Sequence, residues 1–262
     1  MQLDLSGKHA LVCGASQGIG RAIAIELAAL GAQITALARS ADKLDALVAE
    51  LPGGSERKHG RLVVDMSDSG ALRADVARLV AANPAHIVIN NTGGPPGGSA
   101  HEAEPQAYLD AYNQHLIAAQ TLLQCVLPGM RKARWGRWIN VISTSVKEPI
   151  AGLGVSNTTR AAMAGWAKTV STEIAADGIT VNNVLPGFTK TARLDGLITA
   201  RAKASGNSEQ AVAEAMKAGV PAARFGEVEE IAAVAAFLCT PAAAYVNGVS
   251  IAVDGGRTRA LS

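Results

Sequence analysis

Short apolar runs separated by longer stretches of mixed polarity recur along the chain: His9 to Cys13, Gln33 to Ala38, Arg61 to Val64, His86 to Asn90, Arg137 to Ser143, Ile179 to Val184 and Val249 to Val253. Their length and their Val, Ile and Leu content predict strands. Several are apolar almost throughout, without in/out alternation, as expected of strands covered by helices on both faces of a parallel sheet. The intervening stretches supply those helices. After the first run, Ile19, Ile23, Leu27 and Leu30 recur at three- and four-residue steps and form one apolar stripe, which Gly31 ends. From 190 to 220 the chain is Ala-rich and polar without strand signals, which predicts a helical substrate flap between the sixth and seventh strands.

Strands alternating with helices predict an α/β fold: a Rossmann arrangement with a doubly wound, seven-stranded parallel sheet and helices on both faces. Such a sheet binds ligands beyond the carboxyl ends of its strands, at the topological switch point. The 262 residues are 48% apolar and show no composition break, so residues 1–262 are expected to form a single domain around one large core. With 24 basic and 22 acidic residues the net charge is +2, and no dense Lys/Arg cluster occurs. Nucleic acid and anionic membrane are therefore not expected partners. Met1 to Leu11 mixes Asp4, Lys8 and His9 into its apolar residues, leaving neither a signal-peptide core nor a spanning segment, and the expected location is cytoplasmic. Cys13, Cys125 and Cys239 are odd in number and far apart, without metal-ligand spacing. They are expected to be buried small hydrophobes, with neither disulfide nor bound metal.

The densest chemical signal is Cys13-Gly14-Ala15-Ser16-Gln17-Gly18-Ile19-Gly20, which leaves the first strand and runs directly into the amphipathic helix. Glycines let the backbone approach a pyrophosphate closely, and the free N–H groups at the helix start favour its charge. A glycine triplet alone can be a tight turn, but the strand before it and the helix after it point to a dinucleotide.

Gly14, Gly18 and Gly20 match the Gly-x-x-x-Gly-x-Gly spacing of the short-chain dehydrogenase/reductase family, which the chain resembles over nearly its whole length. Cys13 stands where that family usually has Thr. Further matches follow in order: Asp65-Met66 after the third strand, Asn90-Asn91-Thr92-Gly93 after the fourth, and Pro186-Gly187 with Thr189 and Thr191 after the sixth. Arg224-Phe225-Gly226, Glu230-Ile231-Ala232, Asn247-Gly248 and Val253-Asp254-Gly255-Gly256 complete the pattern. In wording it is most similar to the 3-oxoacyl-acyl-carrier-protein reductases of the family. The resemblance implies that Gly14, Ser16, Gln17, Gly18, Ile19 and Gly20 hold the pyrophosphate and that Asp65 and Met66 meet adenine. It implies that Asn91, Gly93, Pro186, Gly187, Thr189 and Thr191 border the nicotinamide end. It also implies a homodimer or homotetramer, and a small-molecule or acyl-carrier substrate.

An acidic residue at the end of the second strand would bond the ribose hydroxyls of NAD. Arg39 stands there instead, and its forked guanidinium can pair with a 2′-phosphate, so NADP(H) is expected over NAD(H). A solvent-exposed Arg is the alternative, and Gln17 adds no positive charge to the loop.

In the family, Asn, Ser, Tyr and Lys carry the chemistry. Alignment places Ser143 on the serine, Ser156 on the tyrosine thirteen residues later, Arg160 on the lysine and His115 on the asparagine. A phenol near pKa ~10 can be tuned toward neutrality, whereas an aliphatic hydroxyl is a poor acid. Ser156 can orient a carbonyl. Arg160 can clamp the cofactor ribose or stabilise an alkoxide without relaying a proton. For His115 two readings stand: a proton donor with an intrinsic pKa of roughly 6.5, or a packed, hydrogen-bonded helix residue. Ser143 reads as a substrate contact, or with Thr144 and Ser145 as a strand end satisfying its own backbone. Lys147 and Glu148 read as a surface pair. The Gly/Pro-dense run from Asn91 to Gly98 suits backbone close to a cofactor, or a purely structural turn.

Three functions follow. The first is an NADP-dependent oxidoreductase of carbonyls or alcohols with non-standard catalytic residues. The second is a nucleotide-binding protein without turnover. The third is dehalogenase-like chemistry, known in the superfamily with Arg for Lys, against which stand the missing Tyr and the retained glycine loop.

Overall fold

The structure, a computed structural model, describes residues 1–261. Seven strands pair in parallel: β1 His9–Cys13, β2 Gln33–Ala38, β3 Gly60–Val63, β4 Ile87–Asn91, β5 Gly136–Val141, β6 Ile179–Pro186 and β7 Ser250–Val253. Their order is β3-β2-β1-β4-β5-β6-β7, so the winding reverses between β1 and β4 and opens a crevice at their carboxyl ends. The helices are α1 Gly18–Ala29, α2 Ala41–Glu50, α3 Ser69–Ala82, α4 Pro105–Tyr112, α5 Ala118–Ala133, α6 Gly154–Glu173, α7 Ala192–Ser205, α8 Glu209–Ala218 and α9 Val228–Cys239.

Strand side chains alternate between two cores. Ala10 and Val12 of β1 pack with Ile23 and Leu27 of α1 and Ile231 and Ala235 of α9. Leu11 and Cys13 pack on the opposite face with Leu72 and Val76 of α3, Leu122 of α5 and Met163 of α6. Burying a Leu or Ile contributes about 1.5–3 kcal/mol, and a sheet that does so on both faces reads as unbroken apolar runs. β3 departs from the expectation. As the edge strand it alternates, and Val63 is 41% exposed.

Strand ends also shift. β5 stops at Val141, which frees Ile142 and Ser143 to turn toward the crevice, while β6 continues to Pro186 because it pairs with β7 as far as Val253. A ladder of buried polar side chains crosses four strands in register: Asn90 Nδ2 donates to Asn140 Oδ1 (2.9 Å), Asn140 Nδ2 to Asn183 Oδ1 (2.9 Å) and Asn183 Nδ2 to Ser250 Oγ (3.0 Å). Trp138 Nε1 also donates to Asn140 Oδ1 (2.8 Å). Each amide would be costly to bury alone, and pairing them pins the register of β4 to β7 near the strand ends that carry the site.

The 190–220 segment forms α7 and α8 between β6 and β7, closed around a small core of Leu194, Ala202, Val212, Met216 and Phe225. Cys13 and Cys239 are buried, with burial pushing both thiols up to about 12, whereas Cys125 is only half-buried, contrary to expectation, because it sits at the rim of α5 near Arg73. Lys147 and Glu148 form no ion pair among the described residues. Glu148 Oε1 instead accepts from the Arg259 backbone N–H at 3.1 Å. No described helix is long and apolar enough to cross a membrane.

Candidate functional site

A cleft of about 980 Å³ runs across the carboxyl ends of the strands, from the glycine loop through Arg39 and Asp65 to Ser143, Ser156 and Arg160. Its first wall is the turn between β1 and α1. Gly14 and Gly18 hold left-handed backbone (φ +63° and +56°). A Cβ on Gly14 would lie 2.5 Å from the Asn91 carbonyl oxygen, and one on Gly20 would lie 2.3 Å from the carbonyl oxygen of Gly14. Asn91 is therefore a strut as well as a lining residue, its Nδ2 within 3.4 Å of the Cys13 and Gly14 carbonyl oxygens. Ser16, Gln17, Gly18 and Ile19 line the cleft, whereas Gly20 does not and serves the packing beneath it. Among the described residues no side chain caps the first turn of α1, so its N–H groups face the cleft with the positive end of the helix.

At the rim of this half stands Arg39, its side chain 78% exposed and its Nη1 3.9 Å from Asp65 Oδ2. The other Asp65 oxygen accepts from the Ser67 N–H (2.9 Å) and hydroxyl (2.7 Å), and these bonds hold its pKa below the usual carboxylate range. Met66 and Val64 form the apolar floor beside it. A second cation joins Arg39 that the motif comparison did not find. Lys43, one turn into α2, lines the cleft and donates to Gln17 Oε1 at 3.0 Å.

The other half gathers the ends of β4, β5 and β6 around α6. Thr92, Gly93 and Gly94 follow β4; Pro186, Gly187, Phe188, Thr189 and Thr191 follow β6. Gly187 has no room for a side chain, since a Cβ would lie 2.6 Å from Asp254. Thr189 is buried and its hydroxyl donates to the Gly187 carbonyl (3.2 Å), while the Thr191 oxygen caps α7. The Thr191 methyl comes within 3.3 Å of the point where a Cβ on Gly18 would stand, so the loop after β6 closes over the glycine loop.

Ser143 and Ser156 both line this end. The Ser143 oxygen accepts from the Ser145 N–H at 3.1 Å, which leaves its own proton to donate. The Ser156 hydroxyl has no hydrogen-bond partner among the described residues, and the residue is buried but for the cleft. Arg160, one turn along α6, is 6% exposed. Its Nη1 reaches the Val141 carbonyl (3.3 Å), its Nη2 the Thr92 carbonyl (3.4 Å), and its Nε has no partner among the described residues. Burial, helped by nearby Arg193, lowers its pKa to about 10, so it remains a cation at neutral pH.

His115 lies in a π-helical turn, Asn113–Ile117, between α4 and α5, and does not line the cleft; its neighbour Gln114 does. It is 2% exposed, with Nδ1 hydrogen-bonded to the Thr92 hydroxyl and Nε2 without a partner among the described residues. Burial, and secondarily the Arg160 charge, lower its pKa to about 2. Of the two readings of His115, this geometry matches the packed, hydrogen-bonded one: the ring is buried off the cleft and meets the Thr92 hydroxyl, while the Thr92 carbonyl meets Arg160.

Sequence comparison also missed Arg193 and Arg257. Arg193 Nη2 donates to the Pro95 carbonyl at 2.8 Å across the cleft, and the Arg257 guanidinium sits 4.6 Å from the centre of the Phe188 ring with Nη1 3.4 Å from Thr144 Oγ1. Each stands just past a recognised motif, Arg193 after Thr191 and Arg257 after Gly256, and a survey of basic residues beside those motifs would have found them.

A family model described as enoyl-(acyl carrier protein) reductase matches residues 14–258. The chain is 35% identical over 257 residues to a 3-oxoacyl-[acyl-carrier-protein] reductase of Pseudomonas aeruginosa, covering 97% of this chain and 98% of that one. It is 30% identical over 260 residues to the NADPH-dependent reductase BacG of Bacillus subtilis, covering 98% and 100%. Among solved structures, that of L-sorbose reductase from Gluconobacter frateurii, complexed with NADPH and L-sorbose, superposes with a TM-score of 0.92 at 30% identity over 100% of both chains.

Proposed function

The chain belongs to the short-chain dehydrogenase/reductase family, and from that premise we propose that it is an NADP(H)-dependent oxidoreductase of carbonyl or alcohol substrates whose site works without a phenol. One observation carries the reading: a single cleft joins an uncapped, glycine-lined helix start to a buried, unneutralised guanidinium flanked by two serines.

The residues present fit the cofactor. Gly14, Ser16, Gln17, Gly18 and Ile19 form an anion cradle in which a side chain on Gly14 would collide with Asn91 and one on Gly18 would strain the turn. Arg39 and Lys43 supply two cations for a 2′-phosphate, and the names of relatives that use NADPH support the same preference. Asp65 and Met66 border the adenine end; Asn91, Gly93, Pro186, Gly187, Thr189 and Thr191 border the nicotinamide end. When bound, NADPH supplies the hydride.

The chain's own groups meet the charge that develops on the substrate oxygen. Arg160 faces it as a fixed cation in a low-dielectric recess, where such a group acts more strongly than in water. Ser143 and Ser156 donate to the carbonyl oxygen and orient it. None of Ser143, Ser156, Arg160 and His115 is an acid near neutrality, so the proton is taken from solvent through the open side of the cleft. Loss of a positioned acid costs ~10² to 10⁴ in rate, and the same absence favours a second reading, nucleotide binding without turnover. The reading extends to a homo-oligomer in the cytoplasm acting on a small-molecule or acyl-carrier substrate beneath α7 and α8.

NADPH consumption measured with a panel of aldehydes, ketones and 3-oxo acids tests it. Turnover of one of them, abolished in Arg160→Gln, supports the oxidoreductase. Tight NADPH binding with no turnover across the panel supports the second reading instead.

A further inference from the structure

Arg160, Arg193 and Arg257 share the substrate end of the cleft, and among the described residues none of the three pairs with a carboxylate. The acidic residues that do line the cleft, Glu26, Asp65 and Glu229, lie on α1, after β3 and on α9. A buried guanidinium without a counter-ion is costly, and unlike a lysine it cannot relieve the cost by losing its proton. Backbone carbonyls meet part of the demand on Arg160, yet its Nε is left with nothing.

Gly94 shows where an anion would go. A Cβ built on it would stand 3.4 Å from Arg193 Nη2 and 3.6 Å from Arg160 Nη2. Both guanidinium groups thus approach the same face of the Gly94 backbone, and the absence of a side chain there leaves them open to the cleft that Gly94 lines. Arg193 is held there by its bond to Pro95 and by its place in the first turn of α7.

We propose that the substrate is a carbonyl compound bearing a free carboxylate, and that Arg160 and Arg193 hold this carboxylate between them at Gly94. The inference rests on the oxidoreductase reading and narrows its substrate class. Two forked cations suit the planar, bidentate geometry of a carboxylate. A carrier-bound acyl chain presents a neutral thioester at this depth, and its phosphodiester would lie farther out.

Isothermal titration of the intact chain saturated with NADPH compares acetoacetate and malonate with methyl acetoacetate and the N-acetylcysteamine thioester of acetoacetate. The expected result is that a carboxylate binds about 10-fold or more tightly than either neutral probe. Arg193→Gln should remove that advantage, Arg193→Lys should restore part of it, and NADPH affinity should stay unchanged in both. Equal or better binding of the ester or thioester, no binding of either carboxylate, or full carboxylate affinity in Arg193→Gln overturns the proposal. If NADPH itself does not bind, the oxidoreductase reading fails, while the carboxylate titration of the free protein still reports on the arginine pair.

Discussion

The Thr92 hydroxyl is hydrogen-bonded to His115 Nδ1 while the carbonyl of the same residue lies 3.4 Å from Arg160 Nη2. Two residues that alignment places on catalytic positions are therefore joined through a third, and only Arg160 reaches the cleft. The imidazole is buried behind the loop that carries Thr92, and burial pushes its pKa down.

That arrangement sets a pH dependence. The folded-state pKa of His115 is lowered from 6.5 to about 2, so between those values the unfolded chain holds a proton that the folded chain does not. The stability linked to this group is present above pH 6.5 and is lost as pH falls toward 2. Urea unfolding at successive pH values should show the native chain losing about 1 kcal/mol relative to His115→Gln over the first pH unit below 6.5, and about 1.4 kcal/mol over the next. Parallel curves for the two proteins would show that His115 is not buried neutral. Turnover near neutrality should survive in His115→Gln, and its loss there would restore the proton-donor reading.

Arg39 and Lys43 should separate the two dinucleotides. Charge-assisted bonds to a phosphate are worth about 1.5–3 kcal/mol each, so Arg39→Glu should raise the Kd for NADPH by about 10-fold or more. The Kd for NADH should change little. Equal effects on both would place Arg39 away from the 2′-phosphate.

Crowding under the glycine loop is a backbone matter and should not be relieved by side-chain movement. Gly20→Ala places a methyl 2.3 Å from the Gly14 carbonyl oxygen and 2.7 Å from Asn91 Nδ2. Such overpacking costs about 1–3 kcal/mol, so Tm should fall and NADPH binding should weaken together. Gly165→Ala on α6, where nothing stands within 4 Å of the added methyl, is the control and should leave Tm equal or higher. A Gly20→Ala protein with native Tm and native NADPH affinity would show that this turn is looser than described.

Rebuilding the missing acid should raise the rate. Ser156 and Arg160 are one helical turn apart on α6 and both line the cleft. Ser156→Tyr with Arg160→Lys should speed reduction of a neutral ketone by roughly 10² or more over the native chain. NADPH consumption under saturating cofactor measures it, and a double variant that folds, binds NADPH and gains nothing would argue that the cleft is shaped for other chemistry.

Much of this molecule could be read from residue order. The unbroken apolar runs gave the parallel sheet because strands buried on both faces have no polar side to show, and β3 escaped that rule only by lying at the edge. The glycine loop was legible because its spacing answers to local backbone geometry. The asparagine ladder was not legible, since Asn90, Asn140 and Asn183 come from three strands distant in the chain and meet only through sheet register. Nor was the fate of His115: its titration depends on burial and on Arg160, neither visible at position 115. Lys43 shares that reason, for it reaches Gln17 from α2, whose placement against the glycine loop is tertiary, whereas Arg193 and Arg257 stand beside their motifs in the chain.

The account stands or falls on dinucleotide binding at the start of α1, and fluorescence titration of the purified chain with NADPH and, in parallel, NADH measures it directly. Saturable 1:1 binding, tighter for NADPH and weakened in Gly20→Ala, is the result the structure predicts. Absence of saturable binding for either nucleotide, with the protein folded, would contradict it.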